Sequence, residues 1–227
     1  MSSVKRTLVL AAAAAVLCPA MASSALATSS PVLPPDARPL GWSLERMTAA
    51  LAVFTASGND PANYPDTPFQ ILYVKDFADP EPVSGGGLRF SGSSTFTVRP
   101  GTKFFVPMAN ADDSPPLPPG PYPESPAQAV RYFFDPDHYG ASGWEITVDG
   151  QSTPIGAEYL AGPVTTPPLP DGRGTHMITL GAFLHPLTRG THTVTVSGGL
   201  FGSAIPNLTQ NVFAFFVSEF TYTVIVE

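Results

Sequence analysis

From residue 69 onward the chain is built of short runs in which apolar and polar residues alternate. Trp144, Ile146 and Val148 fall on one side of an extended chain, and Glu145, Thr147 and Asp149 on the other, because successive side chains of a strand point to opposite faces. This period of two is the strongest constraint on the fold, since a strand with one apolar face must bury that face against a second layer. The same alternation marks residues 94–99, 175–180, 191–197 and 220–226, and residues 69–75 and 212–217 are denser apolar runs. Val130, Tyr132 and Phe134 read as one face of a further strand. Pro100-Gly101, Asp149-Gly150 and the corner at residues 187–190 supply the turn chemistry,. The pattern predicts a hairpin joining 94–99 to 103–108, and a long final strand over 212–226 bent near Ser218-Glu219. Eight or nine such strands predict a mainly β chain folded as an antiparallel β-sandwich, immunoglobulin-like or jelly-roll.

One helix precedes the strands. Ser43 is placed to cap it, and Leu44, Met47, Leu51 and Phe54 recur at steps of three and four, the spacing of one apolar stripe. Gly58 is the expected stop, and the stripe is expected to dock on the sheet. Arg46 alone does not make the opposite face basic enough for a membrane surface.

The first residues carry a different message. Lys5 and Arg6, an apolar stretch at residues 8–17 and Ala25-Leu26-Ala27 form the pattern of a cleaved secretory signal, with the apolar stretch too short to span a bilayer. Cleavage near Ala27 would remove Cys18, the only cysteine, together with Lys5 and Arg6, and leave nine basic residues against the 18 acidic, a net charge of −9. Such a product forms no disulfide, which suits a bacterial exterior or periplasm. Its charge argues against nucleic acid and anionic membranes as partners, and no later run has the length of a spanning helix. The expected organisation is a signal at 1–27, an extended proline-bearing leader at 28–41 and one sandwich domain at 42–227.

Two stretches interrupt the strands. Residues 112–127 hold seven prolines, and residues 162–171 hold four. Proline lacks the N–H that a ladder needs, so both read as loops, the first a long ordered one.

Several residues on these loops have the chemistry of a site. Asn110, Asp112 and Asp113 follow one run and Asp135 and Asp137 another, oxygen ligands of the kind a calcium ion takes, although turn formation explains the same residues. Asp137-His138 together with Asp135 offers a base beside carboxylates, with Ser142 nearby, but neither a Gly-x-Ser-x-Gly elbow nor a His-Glu-x-x-His motif occurs in the chain,. His176 and His192 lie on alternating runs, where they are either structural histidines or a pair meeting across a sheet to bind a transition metal. Trp42, Tyr64, Tyr122, Tyr139 and Tyr159 lie at element ends, where aromatics stack sugar rings or plug a sandwich. Tyr122, Tyr139, Asp137 and His138 are the resulting ligand-binding candidates. No cofactor is expected.

The stretch Phe96-Thr97-Val98-Arg99-Pro100-Gly101-Thr102-Lys103-Phe104-Phe105-Val106-Pro107-Met108-Ala109-Asn110 resembles a group of uncharacterised exported bacterial proteins. In that group a strand ends in a Pro-Gly-type turn followed by Lys, two aromatics, Pro and Asn. Val148-Asp149-Gly150, Arg189-Gly190-Thr191-His192-Thr193-Val194 and Phe220-Thr221-Tyr222-Thr223-Val224 look like the later strands of the same group, so the likeness extends loosely over residues 42–227. It implies a β-sandwich and an exported life, and it carries over no catalytic residue.

The expectation is a secreted, non-catalytic sandwich that binds an extracellular glycan or protein through its loops. The alternatives are a secreted hydrolase or metal-dependent enzyme working through Asp135, Asp137 and His138, and a structural component of an envelope or matrix.

Overall fold

Ser43 starts the first helix as its spacing predicts: its side chain accepts from the Arg46 N–H at 3.2 Å, and α1 runs Leu44–Ala56 with Leu44, Met47, Leu51 and Phe54 all buried. Gly58 follows at φ +72°, a left-handed position that glycine takes without strain,. The computed structural model describes residues 30–118 and 120–227, and the expected signal segment lies outside them.

The chain is mainly β, with 41% strand and 18% helix, and its two sheets pack as a sandwich. The smaller sheet has the order β1 (Phe69–Ile71), β5 (Lys103–Asp112), β9 (His176–Leu184), β8 (Leu160–Thr165). The larger runs β2 (Asp76–Phe77), β4 (Gly87–Val98), β11 (Phe216–Val226), β10 (Gly190–Leu200), β6 (Ala141–Val148), β7 (Gln151–Pro154), with β3 (Glu81–Val83) also pairing with β4. Pairing is mostly antiparallel, but β1–β5 and β4–β11 are parallel, so the sheets are mixed rather than purely antiparallel.

The alternation sorts the side chains as expected. Trp144, Ile146, Val148, Val194, Val196, Tyr222, Val224 and Val226 fill the inner face of the larger sheet. In β9 every residue from Met177 to Leu184 is buried, because β9 is covered on both faces once α1 packs across β8 and β9,. Cutting a fully buried ring such as Phe104 to alanine would cost about 3–5 kcal/mol,.

Four expectations fail here, each for a physical reason. Residues 94–99 and 103–108 do not form a hairpin, since β4 and β5 lie in different sheets. The turn between them has Pro100 at its second position, Gly101 at φ +84° and Thr102 N–H donating to Arg99 O at 3.2 Å. That is type II geometry, which splays strands instead of twisting them together. Asp149 and Gly150, at φ 50° and 83°, do make the primed turn of a hairpin, and β6 pairs with β7 across it.

The second failure is the run around Val130. Residues Pro126–Phe134 form a helix, α2, with Ser125 as its cap, Pro126 in its first turn and Ala129, Tyr132 and Phe133 buried at steps of three and four,. The third is the last strand, which starts only at Phe216 and keeps an unbroken register with β10 through Ser218 and Glu219. The fourth is the shorter proline stretch, part of which is strand. A register shift between Ala161 and Val164 lets β8 carry Pro163 as a bulge,. The leader expected to be extended ends instead in a 3-10 turn at Pro39–Gly41, and its described start joins the sandwich: Val32 is buried and bridges Leu184.

Candidate functional site

The candidate site forms where α2 bridges β8 of the smaller sheet and β6 of the larger. The loop leading into α2 is pinned at three points. Tyr122 Oη donates to the Ala111 carbonyl at 2.9 Å, Pro123 is buried, and the Glu124 N–H donates to Gln128 Oε1 at 2.8 Å. Gln128 N–H in turn reaches Ser125 Oγ at 3.4 Å, a reciprocal cap that fixes the helix start,. These contacts order the end of the proline-rich segment, and they make Tyr122-Pro123-Glu124 a ridge with a cavity on either side.

The first cavity, about 330 Å³, is walled by Tyr122, Gln128, Arg131, Tyr132 and His138 among others. Its aromatic wall is a contiguous cluster: Tyr122 to Tyr132 at 5.6 Å between ring centroids, Tyr132 to His138 at 5.4 Å, and Tyr132 to Tyr139 at 5.4 Å. Tyr132 is only 4% exposed, yet its hydroxyl makes no hydrogen bond of good geometry. The Tyr139 phenol beside it is near enough to lower its pKa slightly, but burial dominates and pushes Tyr132 up to about 12. His138 Nδ1 is likewise buried without a partner. A buried polar atom with no partner costs about 1–3 kcal/mol, and this wall holds two such atoms, Tyr132 Oη and His138 Nδ1, that make no well-formed hydrogen bond among the described residues.

The second cavity, about 450 Å³, shares Tyr122, Pro123 and Glu124 and adds Asp113, Pro163, Thr165 and His176. Here Asp113 Oδ2 meets His176 Nδ1 at 2.8 Å, while Oδ1 accepts from the Thr175 and His176 N–H groups at 2.6 and 2.8 Å. Burial would raise the Asp113 pKa, but the hydrogen bonds from the His176 ring and from the two backbone N–H groups outweigh it and hold the carboxyl below its ordinary 3.8,. With Nδ1 directed at the carboxylate, His176 Nε2 makes no hydrogen bond among the described residues, and its side chain is 43% exposed.

The predicted residues divide. Tyr122 and His138 line the first cavity. Tyr139 stands behind it, packed on Tyr132 and, at 5.9 Å, on Phe133, with its phenol pKa raised by burial. Asp137 is exposed and lines neither cavity, its carbonyl accepting from Ser203 Oγ at 3.0 Å. Asp135 closes α2 and accepts from the Asp137 N–H at 2.9 Å. Neither carboxylate engages His138, so the Asp135, Asp137, His138 loop is not assembled as a base and its orienting acid.

Asn110 is exposed on β5, and Asp112 accepts from the Ser114 N–H at 2.7 Å with its pKa raised by burial. Asp113 is committed to β9. Among the described residues no three His, Cys, Asp or Glu side chains come together where they could hold a metal ion. His176 and His192 lie in different sheets and do not meet.

Sequence reasoning missed Tyr132, Gln128 and Arg131 as a set, because a period of two hides residues that share one side of a helix. It also missed the pairing of Asp113 with His176, which are 63 residues apart. The Ser-x-x-Gln cap after a proline run was the available signal for the former. The protein-family models, the curated proteins and the solved structures contain no match to this chain.

Proposed function

We propose that the protein is an exported, non-catalytic binding module that holds a small polar ligand in the cavity between the proline-rich loop and α2. The observation that carries this reading is the pair of buried polar atoms, Tyr132 Oη and His138 Nδ1, that have no hydrogen-bond partner among the described residues and belong to the aromatic wall of the cavity,. The loop that forms the other wall is fixed by its own hydrogen bonds, so the cavity is largely pre-formed and a ligand would pay little ordering entropy. The signal-like start of the sequence and its likeness to exported bacterial proteins support a secreted or periplasmic setting. The test is an amide-resolved NMR screen of the purified protein against a fragment set spanning polyols, amides, carboxylates and hydrocarbons. Polar fragments are expected to shift the amides of residues 120–138. Hits confined to another part of the surface, or to hydrocarbons, would sink the assignment.

The open Asp113–His176 pair favours a second reading, a hydrolase using that imidazole as a general base. It predicts turnover on an ester, glycoside or peptide panel that His176→Ala abolishes.

A further inference from the structure

The two cavities are one divided site, and their chemistry selects a class of ligand. They share Tyr122, Pro123 and Glu124 as a common wall, so a ligand longer than one ring can straddle the ridge. A hydrocarbon is a poor fit, because it would leave Tyr132 Oη and His138 Nδ1 unsatisfied,. An anion is a poor fit as well: the Glu124 carboxylate lines both cavities, with the Arg131 guanidinium in the first and the Asp113 carboxylate in the second. What remains on both sides of the ridge is aromatic or proline surface mixed with groups that bond to hydroxyls: Gln128, Tyr132 and His138 on one side, Thr165 and His176 Nε2 on the other.

On these grounds, and resting on the binding-module reading above, we infer that the site takes an uncharged oligosaccharide, with one sugar ring in the cavity walled by Tyr122, Tyr132 and His138 and a following ring across the ridge, where a hydroxyl hydrogen-bonds to His176 Nε2. Asp113 serves the second half as a positioning residue. It holds Nδ1 and so fixes the ring with Nε2 as the nitrogen that makes no hydrogen bond among the described residues,. The aromatic faces supply the apolar contact that the C–H side of a pyranose requires, and the phenols remain protonated donors,.

The test is calorimetric titration of the purified protein with cellotetraose, maltotetraose, mannotetraose and chitotetraose, each paired with its monosaccharide, and with tetragalacturonate and a proline-rich decapeptide as the acidic and peptidic rivals. At least one neutral tetrasaccharide is expected to bind tenfold or more tightly than its monosaccharide. Tyr132→Phe should weaken both sugars, by about fivefold or more. His176→Ala should lower the tetrasaccharide toward the monosaccharide affinity and leave the monosaccharide unchanged, while His176→Gln, which keeps an acceptor, should restore part of the loss. If the acid or the peptide binds and the neutral sugars do not, the saccharide assignment is overturned and the binding module stands. If no neutral tetrasaccharide binds but polar fragments still shift residues 120–138, the same holds. If neither sugars nor fragments reach those residues, the module reading falls with it. Sugar binding that both variants leave intact places the sugar elsewhere and also overturns the inference.

Discussion

The fold contains the same two-residue device twice, once in each sheet, and builds it inside out. Asp113 with His176 ties β5 to β9 in the smaller sheet, and Asp149 with His192 ties the β6–β7 turn to β10 in the larger. In both, one carboxylate oxygen takes a ring Nδ1 and the other takes backbone N–H from the histidine's strand. In the first pair the acid is the more buried member, at 21% exposure against 43% for the ring, whereas in the second the ring is buried at 12% and the acid is 49% exposed. His192 spends its second nitrogen as well, donating Nε2–H to the Thr188 carbonyl at 2.9 Å. With an acceptor on both nitrogens His192 is a closed, cationic strut, while His176 keeps one nitrogen open to a cavity. Identical chemistry thus becomes architecture in one place and an available site in the other, according to which partner is turned outward.

The largest test of that contrast is the removal of each acid. Asp113→Ala leaves the Thr175 and His176 N–H groups and the imidazole without their acceptor at a half-covered position. Urea unfolding should report a loss of about 2–4 kcal/mol. Asp149→Asn keeps a side chain that tolerates φ 50° and removes only charge from a half-exposed group, so about 1 kcal/mol is expected. An Asp149 loss equal to or above that of Asp113 would show that burial of the acid is not what separates the pairs.

The next effect is kinetic. Diethyl pyrocarbonate attacks an accessible ring nitrogen that no hydrogen bond occupies; His176 Nε2 is such a nitrogen, whereas His192 Nε2 is held by the Thr188 carbonyl. At pH 7 His176 should be modified at least about tenfold faster, equivalent to about 1.4 kcal/mol of barrier. Equal rates by peptide mass spectrometry would mean that the Thr188 contact does not close the second nitrogen.

How much of this the sequence could reveal depended on range. Ser43 with its stripe of Leu44, Met47, Leu51 and Phe54, and the alternation from Trp144 to the turn at Asp149-Gly150, are local patterns and were legible, although the short return strand β7 was not. The turn at Pro100-Gly101 was seen but not its consequence, because splaying two strands into different sheets depends on turn type rather than on the presence of turn residues. α2 was hidden by the prolines in front of it, although Pro126 sits where a helix accepts one,. Of the binding-site candidates, Tyr122 was readable as a loop aromatic and His138 as an imidazole beside carboxylates, and both line the first cavity. Both acid–histidine pairs were not, since their partners are 63 and 43 residues apart and meet only through sheet pairing.

The smallest effect is the pH dependence of the closed pair, and it has a definite sign. Burial works against a charged His192, but the bond to Asp149, the Thr188 carbonyl and the Asp149 charge overcome it, so the folded pKa lies above the ordinary 6.5. A group raised on folding stabilises fully below its unfolded pKa, and that stabilisation is lost as pH rises through the folded value. Asp149, held below 3.8 by the same pair against its own desolvation, has the opposite limb: its contribution is present above 3.8 and disappears as pH falls through the folded value. The Tm should therefore decline on the alkaline side of 6.5, by about 2 °C for a loss near 0.5–1 kcal/mol in a chain of this size. His192→Gln should remove that decline while leaving the acid limb contributed by Asp113, whose carboxyl is also held low. A wild-type Tm that stays flat from pH 6 to 9, or one that falls equally in His192→Gln, would mean that the closed pair is not the cationic strut its two acceptors imply.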